Sequence, residues 1–401
     1  MFCSHKVIDS RRKDFKDMEK LKHRMFFIAL LFMLSLGSAT AAMAHALGGW
    51  FDFFNVYSTG SIVYYHSDFQ GVTGAQKNFI VGNFQLNDKG AETPYSLYAG
   101  SNVLIQDATI WNGGISAGGN IIIQNSWIQQ GNVIAGYNVD VQSSTIGQGG
   151  VNLGGVVAGG NATLMNFYVN GDVKASGTAT LSDGQVQGSV QAPTINKTNV
   201  DQWGTATSPP VVPTINLNEV TAYFKTESLN IYSHTSNVLS SSYNSNALTL
   251  LLNSGNNYFT MTNEQFRDIW GAYVSGPSDA KLFINVVNEK GEKVDFDWIE
   301  WYLSDRMSLS NILVNFPNAE EVFFTQGSNV DLLMPFATTR FDVGLVTGTL
   351  VAGDLYGGYI GNEATPGGQV NLPPSVPEPA TFLLVGLGMM ALAALRKKSA
   401  D

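Results

Sequence analysis

Between Leu97 and Ala192 one short pattern returns five times and begins a sixth. The stretches are LYAGSNVLIQDATI from Leu97, ISAGGNIIIQNSWI from Ile115, VIAGYNVDVQSSTI from Val133, VVAGGNATLMNFYV from Val156 and VKASGTATLSDGQV from Val173, then VQAP from Val190. The shared alanine falls at Ala99, Ala117, Ala135, Ala158, Ala175 and Ala192, in steps of 18, 18, 23, 17 and 17 residues. The long step holds an extra GGVNLGG, read as a loop insertion. A unit this short cannot enclose a core alone, so successive units must stack. Apolar residues keep three columns. One is Leu97, Ile115, Val133, Val156, Val173 and Val190; the second is Ile105, Ile123, Val141, Leu164 and Leu181; the third is Ile110, Ile128, Ile146, Val169 and Val186. Within each unit the alternation has period two, the mark of short strands. The prediction is a mainly β fold, a roughly triangular parallel β-solenoid of about 17–18-residue coils stacked about 4.8 Å apart. Asn102, Asn120, Asn138 and Asn161, with Thr178 following, predict a turn ladder. Asparagine tolerates left-handed backbone there and can bond its stacked neighbours.

The pattern breaks at Pro193, and Thr205–Pro213 (TATSPPVVP) reads as a linker. From Asn216 to Ser240, Val220, Phe224, Leu229 and Tyr232 have helical spacing, with Asn216 as cap and Glu219 three residues on. Residues 248–303 mix strands such as LTLLL and KLFINVV with the helical NEQFRDIW. Solenoid chemistry resumes in LLMPFATTRFDVGLVTGTLVAGD, where Met334 and Ala352 stand 18 apart. The expected layout is coils over 54–192, a small α/β insertion over 213–330 with a lateral helix, and returning coils over 331–360.

Both ends read as addresses. Arg11, Arg12, Lys13, Lys20, Lys22 and Arg24 precede an apolar run, Met25–Leu36, and the small-x-small triplet Ala42-Met43-Ala44. This predicts a leader and secretory signal peptide over 1–44, cleaved at Ala42 and Ala44, with Met1, Met18 or Met25 as the start. At the other end, Pro377-Glu378-Pro379 precedes an uncharged stretch over 380–395 and the cluster Arg396, Lys397 and Lys398. Its 16 residues make a helix of about 24 Å, short for a membrane span. A plain C-terminal anchor and a processed sorting tail both fit this physics. The one cysteine, Cys3, lies in the leader, so the exported part has no disulfide to rely on.

Signal peptide, V-P-E-P-A-T with Thr381, apolar helix and basic cluster together resemble the PEP-CTERM sorting signal. That resemblance implies an exosortase that reads the Pro-Glu-Pro region and removes the helix, so the inner-membrane anchor is transient. It further implies a Gram-negative bacterium, with the protein at the cell surface or in the extracellular matrix. The terminal Arg-Lys-Lys departs slightly from the arginines usual there. The middle of the chain resembles the choice-of-anchor A family, in FNVYSTG (Phe54–Gly60), SDFQG (Ser67–Gly71), the AGGN coils, AKLFINV (Ala280–Val286), NILVNFPNAEEVFF (Asn311–Phe324) and LVAGDLYGG. It covers 45–372 and implies a bacterial surface domain. Where the family has L-A-P-N-A, this chain has Leu333-Met334-Pro335-Phe336-Ala337. Coils, lateral helix and late coils in that order also resemble the solenoid of ice-binding adhesins in architecture.

Without the leader (8 basic, 4 acidic residues) and the tail (3 basic, 2 acidic), 11 basic and 26 acidic side chains remain, a net charge of −15. Such a surface excludes nucleic acid and suits neutral sugars or cations. The exported part keeps only His45, His66 and His234, far apart, and has no HExxH spacing. No metal and no cofactor are expected, and the coils lack the GGxGxDx pattern of calcium-loaded repeats. The densest acidic stretch, VDFDWIEW, alternates so that Val294 and Phe296 face in while Asp295 and Asp297 face water. Trp298 and Trp301 offer an aromatic platform for sugar stacking. An outward column of Thr109, Trp127, Thr145, Tyr168 and Gln185 has no rank of threonines for ice, and its bulky members Trp127 and Tyr168 suit glycan or protein. The expected protein is a non-enzymatic structural or adhesive component of the surface or exopolysaccharide (biofilm) matrix, whose partners are exopolysaccharide or other surface proteins. A polysaccharide-active enzyme and an ice-binding adhesin are the competing classes.

Overall fold

The computed structural model describes residues 49–88, 93–148, 154–204, 215–244, 246–289, 292–304, 307–341, 344–358 and 360–362. The signal-cleavage residues Ala42 and Ala44, His45, and the whole sorting tail with Pro377, Glu378, Pro379, Thr381, Arg396, Lys397 and Lys398 lie outside them. No described helix is long and apolar enough to cross a membrane, and the stretch 380–395 is not among the described residues.

The alternating sequences form three-sided coils. On the first side, 13 strands make one parallel sheet. The register Leu97–Ile115–Val133–Val156–Val173–Val190 is kept strand by strand. The other two predicted columns are in register too, Ile105 with Ile123, Val141, Leu164 and Leu181, and Ile110 with Ile128, Ile146, Val169 and Val186. Nearly all are fully buried and share one continuous core. At about 25 cal/mol per Å² of apolar surface, this stacked core is the main stabilising term of a chain without disulfides.

The second and third sides are one 18-stranded sheet folded along a line of left-handed residues. His66, Asn83, Asp107, Asn125, Ser143, Asn166, Asp183 and Asn199 all have φ between 48° and 57°. This corrects the expected role of the asparagine ladder: Asn102, Asn120, Asn138 and Asn161 are not left-handed. Their work is the second half of the prediction. Each Oδ1 accepts the backbone N–H of the next coil, from Asn102 to Asn120 at 3.0 Å and from Asn161 to Thr178 at 2.8 Å. Asn78 adds an earlier rung.

The chain enters the stack in its middle. Val56–Ser58 is the first strand of the first side, and the coils climb from there to Val190–Gln191 and Thr194–Gln202 at one end. After helix Leu217–Ser233 the chain starts again at the opposite end with Asn256–Thr262. It winds back through Lys281–Val287, Ile312–Asn315 and Asp331–Met334 to Leu350–Ala352. That last strand pairs with the first, Val56 beside Leu350 and Ser58 beside Ala352.

The returning coils therefore begin at Asn256, well before 331. What sequence periodicity read as an α/β insertion is largely solenoid. Asn285 and Asn315 occupy equivalent rungs 30 residues apart, against 18 residues in the regular coils. Long corner loops hide the period. A four-stranded sheet of Ser240–Asn244, Ala247–Leu251, Gly271–Ser275 and Glu300–Leu303 supplies the third side here, with its first two strands antiparallel.

The lateral helix starts at Asn216, whose side chain accepts from the N–H of Asn218, while its amide donates to Glu219. It ends at Ser233, short of the expected Ser240. Its inner face is Leu217, Val220, Phe224, Ser228 and Ile231, whereas Leu229 and Tyr232 are exposed. Seventeen residues give about 25 Å. Five coil steps separate Gln76, bonded to Asn218, from Asn285, bonded to the Ile231 carbonyl, and five steps of about 4.8 Å give about 24 Å. The helix thus spans the seam. Beneath it Tyr57, Phe283, Leu313, Leu333 and Val351 form a second core. Buried Asn315 accepts from Ser228 Oγ at 2.6 Å and donates to the Ser228 carbonyl at 2.9 Å and Asn285 Oδ1 at 2.8 Å.

At the far end the inward columns turn polar. Lys197 follows Leu181 and Gln202 follows Val186, and the Lys197 ammonium bonds the Gln202 carbonyl oxygen. A terminal coil whose inner positions prefer water is one way to stop a stack from growing.

Asn315→Leu leaves the Ser228 hydroxyl and the Asn285 Oδ1 short of partners, so a loss of about 1–3 kcal/mol is expected by denaturant unfolding. Burial pushes the phenols of Tyr57, Tyr64, Tyr95 and Tyr98 upward, and that of Tyr223 to about 12. In the unfolded chain they ionise near 10. Their contribution is complete below about pH 10 and is lost as pH rises toward the folded values. Tyr64 is fully buried and its hydroxyl has no partner among the described residues. Tyr64→Phe should therefore leave stability at pH 7 unchanged or higher and make the alkaline loss shallower in thermal melts; a melt lowered by more than a few degrees at pH 7 would contradict this.

Candidate functional site

The third side carries a recess in the regular half of the solenoid, an open groove of about 590 Å³ across four coils. The fold line supplies Ser143, Asn166, Asp183 and Asn199, and the third side supplies Thr145, Tyr168, Gln185 and Asp201. Each is placed by register: Thr145, Tyr168, Gln185 and Asp201 stand directly above one another. The coils differ in bulk at the position after the left-handed residue, which also lines the groove. Phe167 fills that position in one coil and Gly184 in the next. A Cβ on Gly184 would meet the Phe167 ring at 2.5 Å, so only glycine fits.

The walls are polar and cross-linked. Asn166 donates to Ser143 Oγ at 3.2 Å, and Asn199 donates to Asp183 Oδ1 at 3.1 Å. Amides, hydroxyls and two carboxylates around one phenol ring match the inventory of a sugar, which offers many hydroxyls and an apolar ring face. Asp183 and Asp201 are the two carboxylates that line the groove. Both are exposed to solvent, and acid-base catalysts are normally set apart by desolvation. Among the described residues, no group of three or more His, Cys, Asp or Glu side chains could hold a metal.

The residues singled out in the sequence separate into two groups. Trp127, Thr145 and Tyr168 share one column, so Trp127 and Tyr168 sit two coils apart on the same side, and Trp127 is 43% exposed. The expected pair of Trp298 and Trp301 does not form a platform. Trp301 packs against the main core, and Trp298 is half-buried with its indole N–H donated to Glu300 at 2.9 Å. Val294 and Phe296 do face in, with Asp295 and Asp297 outward. Asp297 accepts from Thr325 Oγ1 at 3.3 Å. His234 stacks on Tyr258 at 4.1 Å at the end of the lateral helix, and His66 lies on the fold line. Sequence reasoning missed Asn166, Asp183 and Asn199. Their signal was the recurring Asn, Asp or Ser five residues after each ladder position.

Trp301→Ala is expected to cost roughly 2–4 kcal/mol and Trp127→Ala no more than about 0.5 kcal/mol, measured by denaturant unfolding; equal losses would contradict the placement of Trp127 on the surface.

Two family models match the chain. One, described as "Putative Ice-binding-like adhesive domain", matches residues 127–363, and the PEP-CTERM protein-sorting motif matches residues 375–398. No curated protein matches. Among solved structures, the tapirin C-terminal domain of Caldicellulosiruptor kristjanssonii is similar at 11% identity, over 80% of this chain and 94% of that one, with a TM-score of 0.18.

Proposed function

This chain belongs to the ice-binding-like adhesive domain family, and we propose that it serves as an adhesin of the exopolysaccharide matrix, holding glycan in the groove around Tyr168. An adhesive-type domain followed by a PEP-CTERM signal makes it an exported, sorted surface protein, and the signal implies processing by exosortase. In the expected export route, that processing cuts near Pro377-Glu378-Pro379 and frees the solenoid from a transient inner-membrane anchor of a Gram-negative cell.

The observation that carries the glycan reading is the groove itself, open, polar and lined by the phenol of Tyr168. The negative charge of the exported part favours neutral over anionic polymer. Ice is the weaker occupant. Ordered water on a surface needs a flat repeated rank, and the column Thr109, Trp127, Thr145, Tyr168, Gln185 alternates in size. Both matching families are adhesive or sorting families, not enzyme families.

The test uses the protein purified from cells that export it, together with exopolysaccharide from the same strain. Co-sedimentation is expected, without new reducing ends or unsaturated sugars. Tyr168→Ala should weaken binding about 5- to 150-fold, the range of a lost aromatic stacking contact worth about 1–3 kcal/mol. Release of sugar ends would make the protein an enzyme, and absence of binding would remove glycan from its function.

A further inference from the structure

A second aromatic site lies on the third side, in the half of the solenoid whose period is hidden. Gly271–Ser275 and Glu300–Leu303 pair in parallel with Tyr273 beside Tyr302. The two rings stack at 4.6 Å and 11°. Trp270 stands perpendicular to Tyr273, at 6.4 Å and 88°. A broad indole thus meets a wall of two phenols in an L-shaped corner. The three rings are 50%, 40% and 45% exposed. Core packing does not require this, since the inward positions of these strands are filled by Ala272, Val274 and Trp301. Gly271 leaves room for Tyr302, whose ring would touch a Cβ there at 3.4 Å.

By chain order the corner holds in its coil the place that the third-side strands of the groove hold in theirs, after a second-side strand and before the next first-side strand. Glu300–Leu303 follows Val294–Phe296, and that strand continues the second side through Glu321–Phe324 and Thr338–Phe341 to Leu355–Gly358 and Ile62–Phe69. Nine coil steps separate the coil of Tyr302 from that of Tyr168, about 43 Å at about 4.8 Å per step. Trp127 stands between them, seven steps from Tyr302.

We propose that Trp270, Tyr273 and Tyr302 form a second sugar-stacking site, and that corner and groove together hold one extended neutral polysaccharide chain along the solenoid axis. This rests on the glycan reading of the groove. A pyranose face lies on the indole while the phenol wall limits its sideways travel. Neutral polymer is the occupant because acidic groups are placed near both stations: Asp183 and Asp201 in the groove, and Glu300 beside Gly271 at the corner. Two weak sites on a rigid body act as one strong site when a single chain reaches both.

The experiment takes the exported protein and the neutral fraction of the strain's exopolysaccharide, cut by partial hydrolysis into chains shorter and longer than about 43 Å. Long chains are expected to bind at least ten-fold tighter per chain. Trp270→Ala and, separately, Tyr302→Ser should lower long-chain affinity to the short-chain value, with thermal melts confirming that both variants fold. Equal affinity for short and long chains, or full long-chain affinity in both variants, overturns the two-station track and leaves the groove standing. If Trp270→Ala abolishes all binding while Tyr168→Ala changes nothing, the corner is the sole site and both the track and the groove reading fall. Failure of every chain to bind removes the glycan reading itself.

Discussion

The pairing of Val56 with Leu350 governs the rest of the fold. Two stacks of coils grow in opposite directions from this seam, one built from the chain's early residues and one from its late residues. Neither stack alone covers the seam edge, so an open row of backbone groups is left until both are present. The seam has its own fastenings. Thr59 Oγ1 donates to the Pro335 carbonyl at 2.7 Å, and the Ser61 N–H donates to Asp354 at 2.7 Å. The lateral helix lies across it, with Tyr57 OH bonded to the Leu217 carbonyl at 3.0 Å on one flank and Asn315 bonded to Ser228 on the other. Loop closure over almost 300 residues is entropically costly, and the helix repays it by joining both stacks through one buried face.

How much of this could be read from the chain depends on regularity. Three inward columns and the asparagine ladder were legible because equivalent residues recur every 17 or 18 positions and few other folds need such recurrence. The fold line was mislocated because Asn, Asp and Ser serve both in turns and in ladders; only φ separates Asn120 from Asn125. The late coils were illegible as coils because corner loops stretch one turn to 30 residues. Within them KLFINVV looks like any buried strand. Its outward Phe283 is apolar because the lateral helix covers it, so the period-two signal of a solenoid wall is lost.

The same reasoning explains the exposed aromatic residues. Trp127 and Tyr168 were legible because the repeat fixes which residues face out. Trp301 and Tyr302 are neighbours on one strand, and alternation sends only one of them to the surface. The register of that strand, which the sequence does not show, decides that Tyr302 is the more exposed of the two. The groove also needed three dimensions, because its lining comes from four different coils.

A solenoid wall is regular along one axis. Each coil fixes its outward residue about 4.8 Å from the next, and that spacing is set by backbone hydrogen bonds that no side-chain change alters. A flexible surface loses entropy as each contact forms, whereas this lattice has lost it on folding. Contacts that are weak singly can then add along a polymer. Tight catalysis asks for the opposite, a closed and desolvated pocket in which two carboxylates are held apart in acidity. The groove around Tyr168 is open, and Asp183 and Asp201 are in water. Its open, polar geometry favours many modest contacts over one strong one.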